Sequence, residues 1–203
     1  MSPRFVFLAS KSPRRSELLR QIGVAHEVVV ADAANGMMEV DEAPYAGEAP
    51  AEYVVRLARS KAEVGWAHLS KERSPPHPVL AADTTVALGE RILGKPGSDT
   101  EAHDMLSTLS GQTHEVYTGI AVASASGIAT ALSRSIVTMR RITDEEIDRY
   151  VALGESIDKA GAYAVQGHAA MFIERIEGSY SGVTGLPLFE TANLLIDAGL
   201  QLP

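Results

Sequence analysis

The chain of 203 residues contains no cysteine. This absence excludes disulfide bonds, catalysis by a thiol and zinc sites built on thiolates. The chain also lacks an apolar segment long enough to cross a membrane, and its first residues do not follow the pattern of a signal peptide. We therefore expect a cytoplasmic protein that has no membrane partner.

Familiar catalytic and nucleotide-binding motifs are absent as well. The sequence has no Walker A run, no dinucleotide-binding fingerprint, no His-Glu-x-x-His and no Gly-x-Ser-x-Gly. The common nucleotide-binding and hydrolase folds are therefore excluded. The composition, with 45% apolar and 22% charged residues, is typical of a globular protein that forms one domain or two small lobes with a shared core.

Positive charge is scarce. The formal net charge is −8, and the longest basic runs are the pairs Arg14-Arg15 and Arg140-Arg141. Because a protein that binds long nucleic acid usually presents a basic face, we expect no such partner. A small anionic ligand would need a local basic pocket, to which a metal ion held by carboxylates would add positive charge.

The first motif that is present is a strand followed by a helix start. The apolar run at 5–9 predicts a buried strand, and Ser12 suits an N-cap. Pro13 suits the first helical position, where its missing N–H group costs nothing. Arg14 and Arg15 then fall in the first helical turn, where the helix dipole favours negative charge rather than cations.

Two hydroxyls, two guanidinium groups and free backbone N–H groups thus converge at this helix start. In this interpretation Ser10, Ser12, Arg14 and Arg15 form an anion site of the size of a phosphate. The alternative is an ordinary surface helix at whose start two arginines are solvated.

The apolar pattern along the chain predicts strands and helices that do not strictly alternate. We expect strands at 4–9, 26–31, 79–82 and 84–88, 91–93, 114–124, 128–140, 163–166 and 170–176, helices at 13–22, 50–66, 98–109, 143–153 and 187–198, and a loop at 32–48. The last helix but one begins with the capping box of Thr143 and Glu146. This mixture predicts an α/β protein with a partly antiparallel sheet, in two lobes around a central cleft.

Asp83 interrupts an apolar strand. A carboxylate there is costly unless it is paired or binds a metal, which makes Asp83 a catalytic candidate; the alternative is a hydrogen-bonded Asp at a strand end or bulge. If 83–95 is a hairpin, Lys95 lies near Asp83. Lys61 lies in line with the apolar stripe of its helix, either at the site or extended along the edge of the stripe to solvent.

Other polar residues are weaker candidates. His114 has no visible partner, so a structural role is favoured over a role as acid or base. Asp158 and Lys159 precede small residues and Gln166, whose amide both donates and accepts, as reading a pyrimidine edge requires. The glycine-rich stretch at 178–188 either completes the wall of the cleft or is a tight turn.

Together these segments resemble the Maf family of nucleoside triphosphate pyrophosphatases. The matching segments are Ser-Lys-Ser-Pro-Arg-Arg-Ser-Glu-Leu-Leu at 10–19, Ala-Asp-Thr-Thr-Val at 82–86, Ile-Leu-Gly-Lys-Pro at 92–96, Leu-Ser-Gly-Gln-Thr-His at 109–114, Asp-Lys-Ala-Gly-Ala-Tyr at 158–163 and Gly-Leu-Pro-Leu at 185–188. They follow the order of the family and span nearly the whole chain. The resemblance implies one domain over 1–203 with a fold like that of the inosine triphosphate pyrophosphatases.

The resemblance also implies an activity, a cofactor and site residues. The activity is cleavage of a nucleoside triphosphate to the monophosphate and pyrophosphate with Mg²⁺ or Mn²⁺. Asp83 matches the proton acceptor of the family, and Arg14, Thr84 and Gln166 match positions used for substrate choice. The segment at 158–163 followed by Gln166 is similar to the dTTP/UTP branch rather than the 7-methyl-GTP branch.

The expected mechanism is attack on the α-phosphorus by a water that Asp83 orients or deprotonates. The groups expected to bind the phosphates are the hydroxyls of Ser10 and Ser12 and the cations Arg14, Arg15, Lys61, Lys95 and Lys159. The expected binding partner is the nucleoside triphosphate substrate. Twofold dimers are common in such enzymes, so a homodimer is also considered.

One position departs from the family. An acidic residue is usual where this chain has Asn35, so we expect Asp83 and Asp32 to hold the metal, with Glu39 or Asp158 as alternatives to Asp32. The missing acid favours a second hypothesis, a nucleotide-binding regulator of septum formation that turns over little substrate. A third hypothesis is a pyrophosphatase for modified purine nucleotides.

Overall fold

A mixed sheet forms the centre of the molecule, and the computed structural model describes residues 5–29, 40–72 and 77–202. Within these ranges the strands are β1 (Phe5–Leu8), β2 (Ala25–Val28), β3 (Val79–Leu88), β4 (Arg91–Leu93), β5 (Thr113–Ser124), β6 (Gly127–Met139) and β7 (Ile173–Glu177). Their order is β2-β1-β3-β5-β6-β7, with β4 beside β3. Strand β1 is parallel to β2 and β3, and the remaining pairs are antiparallel.

Helices cover the sheet. They are α1 (Pro13–Gln21), α2 (Pro50–Glu72), α3 (Asp99–Leu109), α4 (Asp144–Val151), α5 (Tyr180–Thr184) and α6 (Leu188–Asp197), with 3₁₀ turns at Ala160–Ala162 and His168–Phe172. Helix α2 packs on β3 and β5. This arrangement confirms the predicted α/β fold with a partly antiparallel sheet.

Most predicted elements are confirmed, including the hairpin that pairs Val86 with Leu93. The capping box is present: Thr143 Oγ1 accepts from Glu146 N at 3.3 Å, and Glu146 Oε2 accepts from Thr143 N at 3.0 Å. Ser12 has the extended backbone of an N-cap but makes no side-chain cap bond.

Two predicted elements are wrong in part. Residues 163–166 are not a strand: they follow a tight 3₁₀ turn in which Gly161 and Ala162 have φ of 69° and 62°. Residues 170–172 belong to the second 3₁₀ turn, and the strand starts only at Ile173. A short buried apolar run has the same pattern in a strand and in a packed turn, so periodicity does not separate them.

The core is divided where β3 reaches its middle. The first half of β3 contributes Leu80 and Ala82 to a cluster shared with β1, α1 and α6, while Val79 and Ala81 pack with α2 on the other face. Val86 belongs to a third cluster with α3 and α4. The residues between, Asp83 and Thr84, are half-buried in a strand that is otherwise almost wholly buried. Asp83 and Thr84 therefore lie between the apolar cluster of Leu80 and that of Val86.

Gly119 on β5 brings α2 close to this point. It pairs in register with Asp83, and a Cβ atom there would collide with the backbone of Val54 in α2. The glycine thus allows the close approach of α2 to the sheet, which places the following turns of the helix near Asp83.

Candidate active site

A cavity of about 680 Å³ opens where Asp83 and Thr84 interrupt the core. Its size lies within the usual range for small-molecule sites. Its charged wall consists of the cations Lys11, Arg14, Arg15, Lys61, Lys95 and Lys159 and the carboxylates Glu42, Asp83 and Asp158. Although the whole chain is acidic, this wall carries more positive than negative groups, which favours an anionic ligand.

Lys61 joins two carboxylates at the back of the cavity. Its Nζ lies 2.7 Å from Asp83 Oδ1 and 2.6 Å from Glu42 Oε1. The neighbours of Lys61 on α2, Leu57 and Ala58, are fully buried, and only 17% of the Lys61 side chain is exposed. Lys61 therefore does not extend to solvent; it ends in an ion pair at the site.

Glu42 was not identified by sequence reasoning. Burial alone would raise the pKa of Glu42, but the hydrogen bond from Lys61, followed by the charges of Lys61, Lys95 and Arg15, outweighs it and lowers the pKa. The carboxylate is therefore ionised at neutral pH. The sequence did contain one signal for such a residue, because Lys61 in an apolar stripe needs acidic partners. The loop before α2 holds several acids, however, and residue spacing does not indicate which of them contacts Lys61.

Arg15 is fixed by bonds to the protein. Its Nε donates to Gly185 O at 2.8 Å, Nη1 to Ser10 Oγ at 2.9 Å and Nη2 to Thr84 Oγ1 at 3.2 Å. Burial lowers the pKa of Arg15, while Asp83 opposes this effect. An arginine nonetheless keeps its proton. Its charge is therefore held in a fixed place with most of its donors engaged.

The hydroxyl of Thr84 is part of a directed chain. Thr118 Oγ1 donates to Gly182 O at 2.8 Å, so the 2.9 Å contact between Thr84 and Thr118 uses the Thr84 proton. Thr84 consequently accepts from Arg15. Val183, Thr184 and Gly185 lie in the cavity wall, so the glycine-rich stretch completes the cleft as one of the two sequence hypotheses held.

The opposite wall is less enclosed. Lys159 Nζ donates to Ile157 O at 3.2 Å, and Asp158 adopts a φ of 62°, in the left-handed region. Burial is the main cause that lowers the pKa of Arg14 and the pKa of Lys159. The positive charge of Arg14 lowers the pKa of Lys159 further. These two cations repel each other across a space that an anion would fill.

The remaining predicted site residues fall in two groups. Ser10, Ser12, Lys95 and Gln166 line the same cavity, and Gln166 is exposed there. The other group, Asp32 with Asn35 and Glu39, lies outside the described residues.

His114 is buried outside the cavity wall. Its Nε2 lies 2.8 Å from the hydroxyl of Tyr163, and burial lowers the pKa of His114 to about 4. This environment agrees with the structural role favoured for it. Tyr163, by contrast, does line the cavity.

A divalent metal fits part of this site. In the described ranges, no three histidine or carboxylate groups gather as a complete metal site. Mg²⁺ bound with nucleotides, however, needs only one or two carboxylates, because phosphate oxygens and water complete its shell. Asp83 and Glu42, which share Lys61, provide that donor set.

The fold and the cavity define an α/β protein in which a cation-rich cavity of small-molecule size lies beside a carboxylate. The model of one family, described as Maf-like protein, matches residues 5–198. The chain therefore belongs to the Maf family. In the described residues no helix is long and apolar enough to cross a membrane.

Close relatives share this family's sequence over nearly their whole length. A protein of Nitrosospira multiformis named dTTP/UTP pyrophosphatase is 52% identical over 97% of this chain and 96% of its own. A protein of Cupriavidus metallidurans with the same name is 52% identical over 97% of this chain and 98% of its own. The Staphylococcus aureus Ham1 structure aligns with a TM-score of 0.50 at 14% identity, covering 97% of this chain and 100% of that one, which shows the fold alone.

Proposed function

We propose that this protein hydrolyses nucleoside triphosphates, above all dTTP and UTP, to the monophosphate and pyrophosphate. Relatives that carry the name dTTP/UTP pyrophosphatase at about half identity support the reaction. The observation that carries the proposal is the cavity itself, which Asp83 lines together with six cations and which has the size of a small-molecule site.

Asp83 acts on the attacking water. One of its oxygens accepts from Lys61, and we assign the other to a water that it orients or deprotonates. The water oxygen bonds to the α-phosphorus, the bond from that phosphorus to the bridging oxygen breaks, and pyrophosphate leaves with the bridging oxygen. Asp83 takes the proton of the water and later releases it to solvent.

The cations of the wall stabilise the charge that moves to the leaving group. Arg14, Arg15, Lys61 and Lys95 surround the space for the phosphates, and Lys159 stands beside Arg14. The hydroxyls of Ser10 and Ser12 add neutral donors. Because phosphoryl transfer asks little covalent work of a protein, this fixed charge is the main source of the rate.

Mg²⁺ or Mn²⁺ completes the proposed site. Asp83 and Glu42 would hold it, and Asp158 in the opposite wall is a further oxygen donor. When bound, the ion supplies positive charge to the phosphate oxygens. Asp32 stays a prediction as a metal ligand. In this proposal Glu42 takes the place of the acid that the chain lacks at Asn35, the feature that favours the regulator hypothesis.

Substrate choice is assigned to Gln166, Arg14 and Thr84. The exposed amide of Gln166 offers a donor and an acceptor to a pyrimidine edge. The hydroxyl of Thr84 already donates to Thr118 and accepts from Arg15, which leaves one lone pair for the substrate. Thr84 therefore acts chiefly by positioning the guanidinium of Arg15.

The test is pyrophosphate release from dTTP, UTP, CTP, GTP and 7-methyl-GTP with Mg²⁺ or Mn²⁺, for the protein and for Asp83→Asn. We expect turnover of dTTP and UTP, and a loss of at least ~100-fold in a variant that still folds, the usual range for a general base. Near-normal turnover by Asp83→Asn would remove Asp83 from this role. Binding without turnover would favour the regulator, and turnover of purines alone the third hypothesis.

The wider setting is proposed on the same basis. We assign the protein to the cytoplasm, as one domain of two lobes, without a membrane or long nucleic acid as partner. A homodimer is part of the proposal. Phe189 and Ile196, seven residues apart on one side of α6, are 75% and 52% exposed and offer an apolar surface for a second copy.

A further inference from the structure

We propose that Arg56 is a positioning residue that holds the segment 40–48 against α2 and thereby places Glu42 at Lys61 and Asp83. The inference rests on the proposed function, because it concerns a carboxylate of that same site. Arg56 is not in the cavity wall and lies on the turn of α2 that precedes Lys61.

The contacts that hold the segment 40–48 on α2 are called the latch here, and the first of them is the pair of Arg56 and Glu48. Arg56 Nε lies 2.5 Å from Glu48 Oε1, and Nη2 lies 2.7 Å from Glu48 Oε2. The guanidinium also stacks on the ring of Tyr45, 3.9 Å from its centre, and Nη2 donates to Ala43 O at 3.0 Å. One side chain therefore contacts the segment at its middle and at its end.

A second anchor lies next to Glu42 itself. The hydroxyl of Tyr53 donates to the backbone oxygen of Glu42 at 3.0 Å. A phenol keeps its proton at neutral pH, so Tyr53 can be the donor in this bond. The backbone of Glu42 and Ala43 is thus tied to the helix that also carries Lys61.

These contacts differ from those of an ordinary surface ion pair. Only 7% of the Glu48 side chain and 21% of that of Arg56 are exposed, whereas Arg59 and Glu63 on the same helix are 55% and 45% exposed. The hydrogen bond from Arg56 is the main cause that lowers the pKa of Glu48. The pair is therefore charged and intact at neutral pH.

The latch has a clear consequence for the site. Residues 40–49 form neither helix nor strand, so the segment must be held by side chains if its acid is to stay in place. The Glu42 side chain is 53% exposed and meets Lys61 at 2.6 Å. Without Arg56 the segment would sample positions away from α2, and Glu42 would leave the pair on Lys61.

The fork of arginine is needed for this role. Lysine would keep a positive charge beside Glu48 but lacks the planar donors that contact the carboxylate twice and stack on Tyr45. Arg56→Lys should therefore restore only part of the function lost in Arg56→Ala. The chain offers a matched control in Arg59→Ala, three residues further on the same helix, which removes an exposed ion pair with Glu63.

The experiment combines hydrogen exchange with kinetics on the full chain. In Arg56→Ala, amides of 40–49 should exchange several-fold faster while those of β3 and β5 do not change. Turnover of dTTP should fall about 10- to 100-fold, the range for a misplaced group, with a smaller change in KM. Arg59→Ala should change neither, and Arg56→Lys should lie between.

A double-variant cycle separates positioning from general destabilisation. If Arg56 acts through Glu42, Arg56→Ala should cost no further turnover in a Glu42→Gln background. Additive losses, or equal losses in Arg59→Ala, would overturn the proposal. Unchanged hydrogen exchange at 40–49 in Arg56→Ala would overturn the proposal as well, and this readout does not depend on enzyme activity. If the unaltered protein released no pyrophosphate, that result would overturn the proposed function and not the role of Arg56 in holding the segment.

Discussion

The two walls of the cavity are built in different ways. The inner wall, formed by Ser10, Arg15, Thr84 and Gly185, is a closed network in which Arg15 bonds to each of the other three. The outer wall, formed by residues 158–166, is a chain of turns with left-handed backbone at Asp158 and an exposed amide at Gln166.

This difference matches two different tasks. Stabilising charge in phosphoryl transfer needs groups that do not reorganise during the reaction, and such groups are best fixed by the protein. Reading a base needs free donors and acceptors that face the ligand. Loss of the fixed donors of Arg15 in the inner wall should therefore lower the rate, whereas loss of the Gln166 amide in the outer wall should alter which nucleotide is used.

Of the changes that compare the two walls, Arg15→Lys in the inner wall should have the largest effect. Lysine keeps the charge but cannot reach Gly185, Ser10 and Thr84 at once, so turnover of every nucleotide should fall about 10- to 100-fold. Pyrophosphate release measures it. Arg20→Lys, exposed in the last turn of the same helix, is the control, and equal behaviour of the two variants would refute a fixed inner wall.

A smaller and more selective effect is expected in the outer wall, from Gln166→Ala. The preference for dTTP over CTP, as a ratio of kcat/KM, should fall about tenfold, because a hydrogen-bonding partner of the base is lost. Turnover at saturating dTTP should change little. Gln112→Ala, an exposed glutamine outside the cavity wall, serves as the comparison. An unchanged preference would remove Gln166 from substrate choice.

The smallest effect concerns stability rather than activity and comes from His114, which lies behind the outer wall and contacts Tyr163. Its pKa is lowered by burial to about 4, below the ordinary 6.5, so the unfolded chain binds the proton more readily. Stability is therefore lost as the pH falls from 6.5 towards 4. Between pH 7 and 5.5 the loss from this group should be about 1 kcal/mol.

Urea unfolding at the two pH values measures this loss. In His114→Phe, which cannot titrate, the difference between the two pH values should shrink by that amount. A variant with an unchanged pH dependence would show that His114 does not link folding to protonation.

The sequence was sufficient for features that depend on local order. The strand and proline-started helix at 5–21, the capping box at Thr143 and Glu146, and the two long strands joined near Ser126 were all predicted, because each has a period or a cap that neighbouring residues specify. Asp83 was found for a related reason: a carboxylate within an apolar strand stands out without any knowledge of its partners.

Features that depend on distant contacts were missed or left open. The run at 163–166 has the pattern of a short buried strand, but it follows a packed turn in which a Cβ atom at Gly161 would collide with the side chain of Val86. Glu42 was hidden among the acids of a loop, and only the folded structure shows that its carboxylate meets Lys61.

The sequence by itself determined the family, the α/β fold and the kinds of group at the site, because segments in a fixed order carry those properties. Only the tertiary structure decided which groups meet. The close approach of α2 at Gly119 brings Lys61 to Asp83, and the turn after α5 brings Gly185 to Arg15. Such contacts join residues far apart in the chain, and their geometry is set by packing rather than by local preference.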